Sequence, residues 1–415
     1  MKNGITSNLI KINSFIIYFL PISLVTGPFV PNLIITLVSI ISLFIIIFNK
    51  DWIYFNNSFF KFLFFFSIYL IMNNILNKNF NLNSVSSYTY LRYGIFSIAI
   101  WLLIEKNNTF FRNFTKFTMI TILIVFIDSI FQYFNGVNLL GMQLSSYNKI
   151  SSFFGRDVKL GSYLARFYLF SYIFIYYFLD KKLLNVIYLN LFNLLTIIII
   201  LFTGERTSFF IFFFNFLLIN FVLNRNFFNK VITFFLAIFT SLIILVNVED
   251  VKSRYIDQTF KQFTDLNDKS LNIFSKGHEN HYKIALKMFS DNKLFGQGSN
   301  TFRYLCSSEK FRISDKNEGC STHPHNIYVQ LLAETGLIGV LFLLIAFFYI
   351  YYKLITGFVI NKKVKNIEKK LLFYVPIAIY LFPFIPTGSF FNSWVNIIVY
   401  LPAGFLLKQI YSKNV

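Results

Sequence analysis

Charge is scarce in this chain, and negative charge scarcest of all. Only 13% of its residues are Asp, Glu, Lys or Arg, and 38 basic residues outnumber 18 acidic ones. Soluble proteins carry about 25% charged residues, so a soluble globular domain is excluded. Cysteine is nearly absent as well. The only two, Cys306 and Cys320, exclude a disulfide-rich scaffold, and a metal site would need more ligands at suitable spacing. Both lie in one polar segment, where a disulfide closing the loop is the natural reading if that segment is extracytoplasmic. No cytoplasmic connection is long enough to fold as a domain; the longest, about Lys353–Lys370, reads as a basic tether.

What is present is apolar. The chain is 56% hydrophobic with 58 Phe, in runs of roughly 17–20 residues, the length that crosses about 30 Å of hydrocarbon. The pattern predicts an all-α integral membrane protein with about twelve transmembrane helices. The expected spans are Ile12–Gly27, Phe29–Phe48, Phe59–Ile75, Tyr88–Ile104, Phe117–Phe134, Leu160–Leu179, Leu183–Phe202, Thr207–Leu223, Val231–Val248, Ile327–Tyr352, Leu371–Pro386 and Phe390–Leu407. Lys2 and Lys11 before the first run resemble a signal peptide. That run ends in Thr26-Gly27-Pro28 without a small-x-small cleavage site, so an uncleaved first helix is expected.

The loops sort by sign. With the N-terminus inside, Lys50, Lys61, Lys106, Arg112, Lys116, Lys181, Lys182, Arg225, Lys230, Lys362, Lys363, Lys365, Lys369, Lys370, Lys408 and Lys413 all fall on the cytoplasmic side, together with both termini. The net charge of +20 then reflects topology and attraction to anionic lipid, and nucleic acid is not an expected partner. Two outside segments are larger, Asn135–Lys159 and Glu249–Asn326, the second too long for a structureless connection. Within the second, His281–Ser290 places Ile284, Ala285, Met288 and Phe289 on one helical face, and Leu294-Phe-Gly-Gln-Gly298 is a turn-rich break. The expected organisation is a transmembrane bundle over 1–248, an ordered periplasmic loop between spans nine and ten over 249–326, and closing spans over 327–415.

Ionisable residues at membrane depth are costly and point to function. Arg92, Asp128 and Arg166 lie within expected spans; Arg156 precedes one, and Glu205-Arg206 opens another after the short turn Thr203-Gly204. An Asp128–Arg166 ion pair is the structural alternative for those two. Guanidinium forks suit phosphate, so this set suits an anionic lipid head group, best a diphosphate on a polyprenol. Glu334, further on at membrane depth, is expected to pair with an arginine or orient a histidine.

The specific signal is His325-Asn326, nine residues, then Gly336-Leu-Ile-Gly339. It resembles the His-[Asn/Ser]-x9-Gly-x-x-Gly pattern of the O-antigen ligase and polymerase superfamily, bacterial polytopic enzymes with a large periplasmic loop near the C-terminal end. Leu160-Gly-Ser-Tyr-Leu-Ala-Arg166, Thr203-Gly-Glu-Arg-Thr-Ser208, Leu294-Phe-Gly-Gln-Gly298 and Pro386-Thr-Gly-Ser-Phe-Phe391 look like further segments of that family, in the same order. The resemblance implies a GT-C-like glycosyltransferase of lipopolysaccharide biosynthesis in the bacterial inner membrane. Its donor is a polyprenyl-diphosphate-linked glycan, its acceptor a lipid A-core or glycan hydroxyl, and it needs no cofactor and no metal. The motif histidine, here His325, and the arginine matching Arg206 are then catalytic, with Arg156, Arg166 and Arg92 as further cations for the diphosphate. One departure stands out: where many members carry a loop arginine, this chain has His278 in Gly277-His-Glu-Asn-His281. Imidazole charge is conditional near neutral pH, and His281 or Arg303 are alternative holders of that role.

Bottom-up chemistry agrees with the family reading. Glycosyl transfer needs a base for the incoming hydroxyl, and an imidazole contributes typically about 10²–10⁴-fold in that role. It also needs pre-placed positive charge for the departing diphosphate. Asn326 reads as a helix cap, Glu334 and Asp128 as supporting carboxylates, and Gly336 and Gly339 as permitting close helix packing. The spacing favours a ligase over a polymerase. A lipid-linked glycan transporter without catalysis is the reading from another class; the twelve spans and buried charges fit it, but the large loop with clustered histidines does not.

Overall fold

The computed structural model of the protein describes residues 2–77, 82, 85–145, 148–179, 182–223, 226–263, 275–314, 318–360 and 367–411. Lys181, Arg225, Lys362, Lys363, Lys365 and Lys413 of the charge pattern, with parts of the loop and tether, lie outside the described residues. Among the described residues the chain is helical, without a strand beyond two isolated bridges. The principal helices are α1 (Lys2–Tyr18), α2 (Phe29–Asn49), α3 (Ser58–Leu76), α4 (Leu91–Lys106), α5 (Phe110–Asn135), α6 (Leu160–Phe178) and α7 (Lys182–Phe202). They continue with α8 (Arg206–Val222), α9 (Phe227–Asn247), α10 (Lys276–Asp291), α11 (Ile327–Ile360), α12 (Ile367–Tyr380) and α13 (Ser393–Tyr411).

Each expected span overlaps a helix, but not all are equal. Among the described residues eight helices are long and apolar enough to cross a membrane: Gly4–Ser23, Phe29–Asn49, Ser58–Leu76, Phe110–Asn135, Asn185–Phe202, Phe227–Asn247, Ile327–Val359 and Ser393–Tyr411. At 16, 17 and 14 residues, α4, α8 and α12 are shorter than any of the eight. α6 has the length, yet Arg166 and a run of tyrosines lower its hydropathy.

The chain forms two compact units interleaved along the sequence. The first comprises residues 1–38, 103–260 and 363–376; the second comprises 39–102, 261–362 and 377–415.

In the first unit, buried polar side chains fold loops down onto helix ends. Asp128 and Gln132, one turn apart on α5, are fully buried. Asp128 accepts the Leu139 N–H (2.8 Å) and the Ser152 hydroxyl (2.5 Å), and Gln132 accepts the N–H groups of Ser151 (2.9 Å) and Ser152 (2.7 Å). An unmet buried carboxylate is expensive, and loop backbone meets this one. The Asp128–Arg166 ion pair expected as an alternative does not form; Arg166 instead lends its charge to Glu205. Glu205 caps α6, its two oxygens accepting the N–H groups of Gly161 (2.7 Å) and Ser162 (3.1 Å), with Ser208 donating to it at 2.6 Å. A carboxylate at a helix N-terminus is favoured by the orphan donors and the helix dipole. The two motifs 160–166 and 203–208 are thus one joint, tight enough that a Cβ at Gly161 would meet Thr203 at 2.8 Å.

In the second unit, the turn 293–298 inserts its backbone into α11. That helix is broken at Gly336 (φ 64°, ψ −164°). Gln297 donates to Ala333 and Gly298 to Glu334, each at 2.9 Å, while Leu337 donates to Lys293, also at 2.9 Å. A Cβ on Gly296 would meet Thr335 N at 2.6 Å, and one on Gly336 would overlap Leu294. Gly336 therefore admits loop backbone, correcting the expectation of helix–helix packing. Gly339 is tight against the Thr335 side chain of its own helix. Irregular backbone at membrane depth survives only where protein satisfies it. Here α3 does so: Asn73 donates to the Phe295 carbonyl (2.5 Å), Asn77 to Gly296 (3.1 Å), Tyr69 to Thr335 (2.5 Å), and Asn74 accepts the Ser299 N–H (3.2 Å).

Above that break sits α10. Its face of Ile284, Ala285 and Met288 is buried against Phe302, Cys306, Phe311 and Ala333, while Phe289 is half-buried. Cys306 and Cys320 are joined in a disulfide with Cα atoms 5.1 Å apart, closing the segment that carries Phe311. An apolar cavity of about 320 Å³ runs within the same unit, lined by Phe62, Phe66, Leu331, Phe342, Phe390 and Tyr400 among others.

Candidate active site

The second unit brings together all four histidines of the chain. His325 is central, its ring centroid 4.2 Å from that of His323, 5.2 Å from His281 and 5.5 Å from His278. Each arrives by a different local device. His278 and His281 are one turn apart on α10, whose N-cap Ser275 lies 3.2 Å from His278 Nδ1. His281 donates through Nδ1 to the Gly319 carbonyl at 2.6 Å, because a carbonyl only accepts. His323 donates through Nε2 to the Thr387 carbonyl (3.1 Å), with the Thr322 hydroxyl 2.9 Å from its Nδ1. Both nitrogens of His323 are therefore engaged.

His325 differs from its neighbours. Its ring makes no hydrogen bond among the described residues, and its backbone has φ 59°. A non-glycine residue held there costs on the order of 1–3 kcal/mol and persists only where its surroundings impose it. Two clamps impose it here. The Thr387 N–H donates to the His325 carbonyl at 2.9 Å. Asn326 caps α11, accepting the N–H groups of Tyr328 (2.9 Å) and Val329 (3.2 Å), and donates to the Pro383 carbonyl at 2.7 Å. Burial, then the like charges of His323, His281 and His278, push the His325 imidazole down to about 3. Burial, then Arg303 and the other imidazoles, holds His323 near 4. His323 and His325 are therefore neutral at physiological pH. Its rings do not form a metal set: no group of three or more His, Cys, Asp or Glu among the described residues is arranged to hold an ion.

Glu334, about two turns beyond the cap, pairs with neither an arginine nor a histidine. Its carboxylate accepts the N–H groups of Asn300 (3.0 Å) and Phe302 (2.9 Å) and the Gln330 amide (3.0 Å). It starts the short helix Phe302–Leu305. Arg303 itself is exposed, and Arg92 turns onto Tyr93, with its guanidinium carbon 4.8 Å from the ring centre.

The first unit holds the other cations. Arg206 opens α8 and donates to the Thr259 hydroxyl at 2.8 Å. Arg254, which sequence reasoning missed, donates through Nε to the Gly204 carbonyl (3.1 Å) and through Nη1 to Gln258 (2.6 Å). Lys149, also missed, lies over Gly204, where an added Cβ would meet its Cε at 2.9 Å. Burial, then Arg254, lowers its ammonium, and Glu205 partly restores it. Nothing local in the sequence marks Lys149, in a loop, or Arg254, in the short π-helical turn Ser253–Asp257; only the turn at Gly204 gathers them. Arg166 adds charge near Glu205, whereas Arg156 is exposed beside the Asp157–Lys159 ion pair.

No curated protein matches the chain significantly. The O-antigen ligase family model matches residues 191–344, which takes in the Thr203–Ser208 turn, Arg254, α10, the four histidines and Gly336-Leu-Ile-Gly339. Residues 191–344 of this multi-helix membrane protein thus form an O-antigen ligase family domain, which supports the O-antigen ligase superfamily for the chain.

Proposed function

We propose that the protein is an O-antigen ligase, moving a glycan from a polyprenyl diphosphate onto a lipid A-core hydroxyl at the periplasmic face of a bacterial inner membrane. In this reading the chain crosses twelve times, with both termini cytoplasmic and segments 1–248, 249–326 and 327–415 as bundle, outer loop and closing spans. The observation that carries it is His325: the motif histidine, held at φ 59° with an uncommitted ring amid three other imidazoles.

The acceptor oxygen attacks the anomeric carbon as the bond from that carbon to the diphosphate breaks. The leaving group departs with the electron pair, and His325 takes the hydroxyl proton. An imidazole held near 3 is neutral and ready, yet a weak base. An arriving diphosphate raises it by supplying the negative charge the cluster lacks, so donor binding arms the base. Arg206, with Lys149 and Arg254 beside it, supports the role of holding the departing diphosphate. The apolar cavity suits the hydrocarbon of the carrier.

Deleting the protein and analysing lipid-linked glycans tests this. Long polymer stranded on the carrier is the expected result. A single repeat on the core would instead identify a polymerase, and unchanged glycans would reject both.

A further inference from the structure

Gln330 sits one turn into α11, five residues past His325, and is completely buried. Its amide has three partners. Nε2 donates to Glu334 Oε2 and to Ser389 Oγ, each at 3.0 Å, and Oε1 accepts the Phe390 N–H at 2.8 Å. A buried amide left unmet is costly, so three strong bonds fix this rotamer tightly.

What those bonds hold matters more than their number. Ser389 and Phe390 end the segment that starts at Thr387. The Thr387 N–H donates to the His325 carbonyl at 2.9 Å, and its carbonyl accepts from His323 Nε2 at 3.1 Å. The Thr387 hydroxyl is buried without a hydrogen bond, so backbone contacts, the Gln330 anchor and the Asn396 amide, which donates to the Phe390 carbonyl at 2.7 Å, set the segment's register. On its other side Gln330 is tied to Glu334, which fixes the backbone of Asn300 and Phe302. A single side chain therefore joins the histidine-bearing helix start, the 387–390 segment and the loop.

We infer that Gln330 is a positioning residue for His325: it sets the height of Thr387, and through the Thr387 backbone both the left-handed conformation of His325 and the tautomer of His323. It touches neither ring and takes no proton. The inference rests on His325 being the base proposed above. A displacement of about 1 Å at the reacting groups costs on the order of 10²-fold in rate.

The test uses full-length protein in lipid nanodiscs with a polyprenyl-diphosphate glycan donor. Gln330→Met keeps the volume and removes all three hydrogen bonds; Ser389→Ala removes one. Ile98→Ala, at a fully buried position of the same unit away from these contacts, controls for stability. The expected result is a kcat about 10²-fold lower in Gln330→Met and lowered less in Ser389→Ala, with donor KM within twofold. Ile98→Ala should lower the melting temperature without changing kcat per folded molecule. Unchanged kcat in Gln330→Met overturns the inference, as does a loss that merely tracks melting temperature as in Ile98→Ala. Should Gln330→Met not fold, unchanged kcat in Ser389→Ala overturns it equally. Full activity in His325→Ala is a separate failure, that of the base assignment itself.

Discussion

The two units bury polar side chains with a different emphasis, although each also holds a carboxylate satisfied by backbone N–H groups. In the first, the carboxylates Asp128 and Glu205 are consumed by backbone N–H groups and hydroxyls. Their negative charge is turned toward the fold, and Lys149, Arg206 and Arg254 gather around Gly204. In the second, amides carry much of the structural load through Asn73, Asn74, Asn77 and Gln330, and the ionisable groups that converge are imidazoles, of which burial keeps His323 and His325 neutral. A guanidinium stays charged whatever its surroundings, whereas an imidazole takes its state from them. The first arrangement suits a persistent anion and the second a proton that must move.

Breaking each side of this comparison should have distinct effects. The largest is expected from His325→Ala, a loss of about 10²–10⁴-fold in transfer measured with purified protein, consistent with removal of a general base. Normal insertion and unchanged inhibition by inorganic pyrophosphate should accompany it. Arg206→Ala should also lose transfer, but with weakened pyrophosphate inhibition; equal inhibition in both variants would erase the proposed division of labour.

A smaller effect is expected at the α6 cap. Glu205→Ala strands the Gly161 and Ser162 donors, at about 1–3 kcal/mol, and removes the carboxylate among the cations. A melting temperature no lower than that of the parent would show that this cap contributes nothing.

The smallest effect is the response to acid. Above about pH 6.5, the ordinary imidazole value, His323 and His325 are neutral in both folded and unfolded chains. Below it the unfolded chain takes up protons that the folded cluster refuses until about 4 and 3, so stability falls as the pH drops from 6.5 toward 4. Melting curves at pH 8, 6.5 and 5 check this, and a rise on acidification would contradict it. His325→Ala should flatten the response, and Arg206→Ala should not.

Much of this molecule is legible in its sequence because local rules suffice. Apolar runs long enough for a bilayer became helices, and the period of Ile284, Ala285 and Met288 became the buried face of α10. The order of the His325-Asn326 and Gly336-Leu-Ile-Gly339 pieces pointed to the family that residues 191–344 match. Pairwise chemistry was harder. Asp128 and Arg166 look like partners because opposite charges at similar depth attract, yet loop N–H groups satisfy Asp128 instead.

The length of the apolar runs alone pointed to a helical membrane protein, since hydrocarbon tolerates only backbone whose hydrogen bonds close on themselves. The rest was decided in three dimensions. Gly336 breaks a helix because the backbone of Leu294 and Phe295 must pass there. His323, His325, His278 and His281 meet because Gly319, Thr387 and Gln330, distant in sequence, hold their backbones and rings in place. A hydrogen bond has no sequence period, so its partner becomes visible only when the chain is folded.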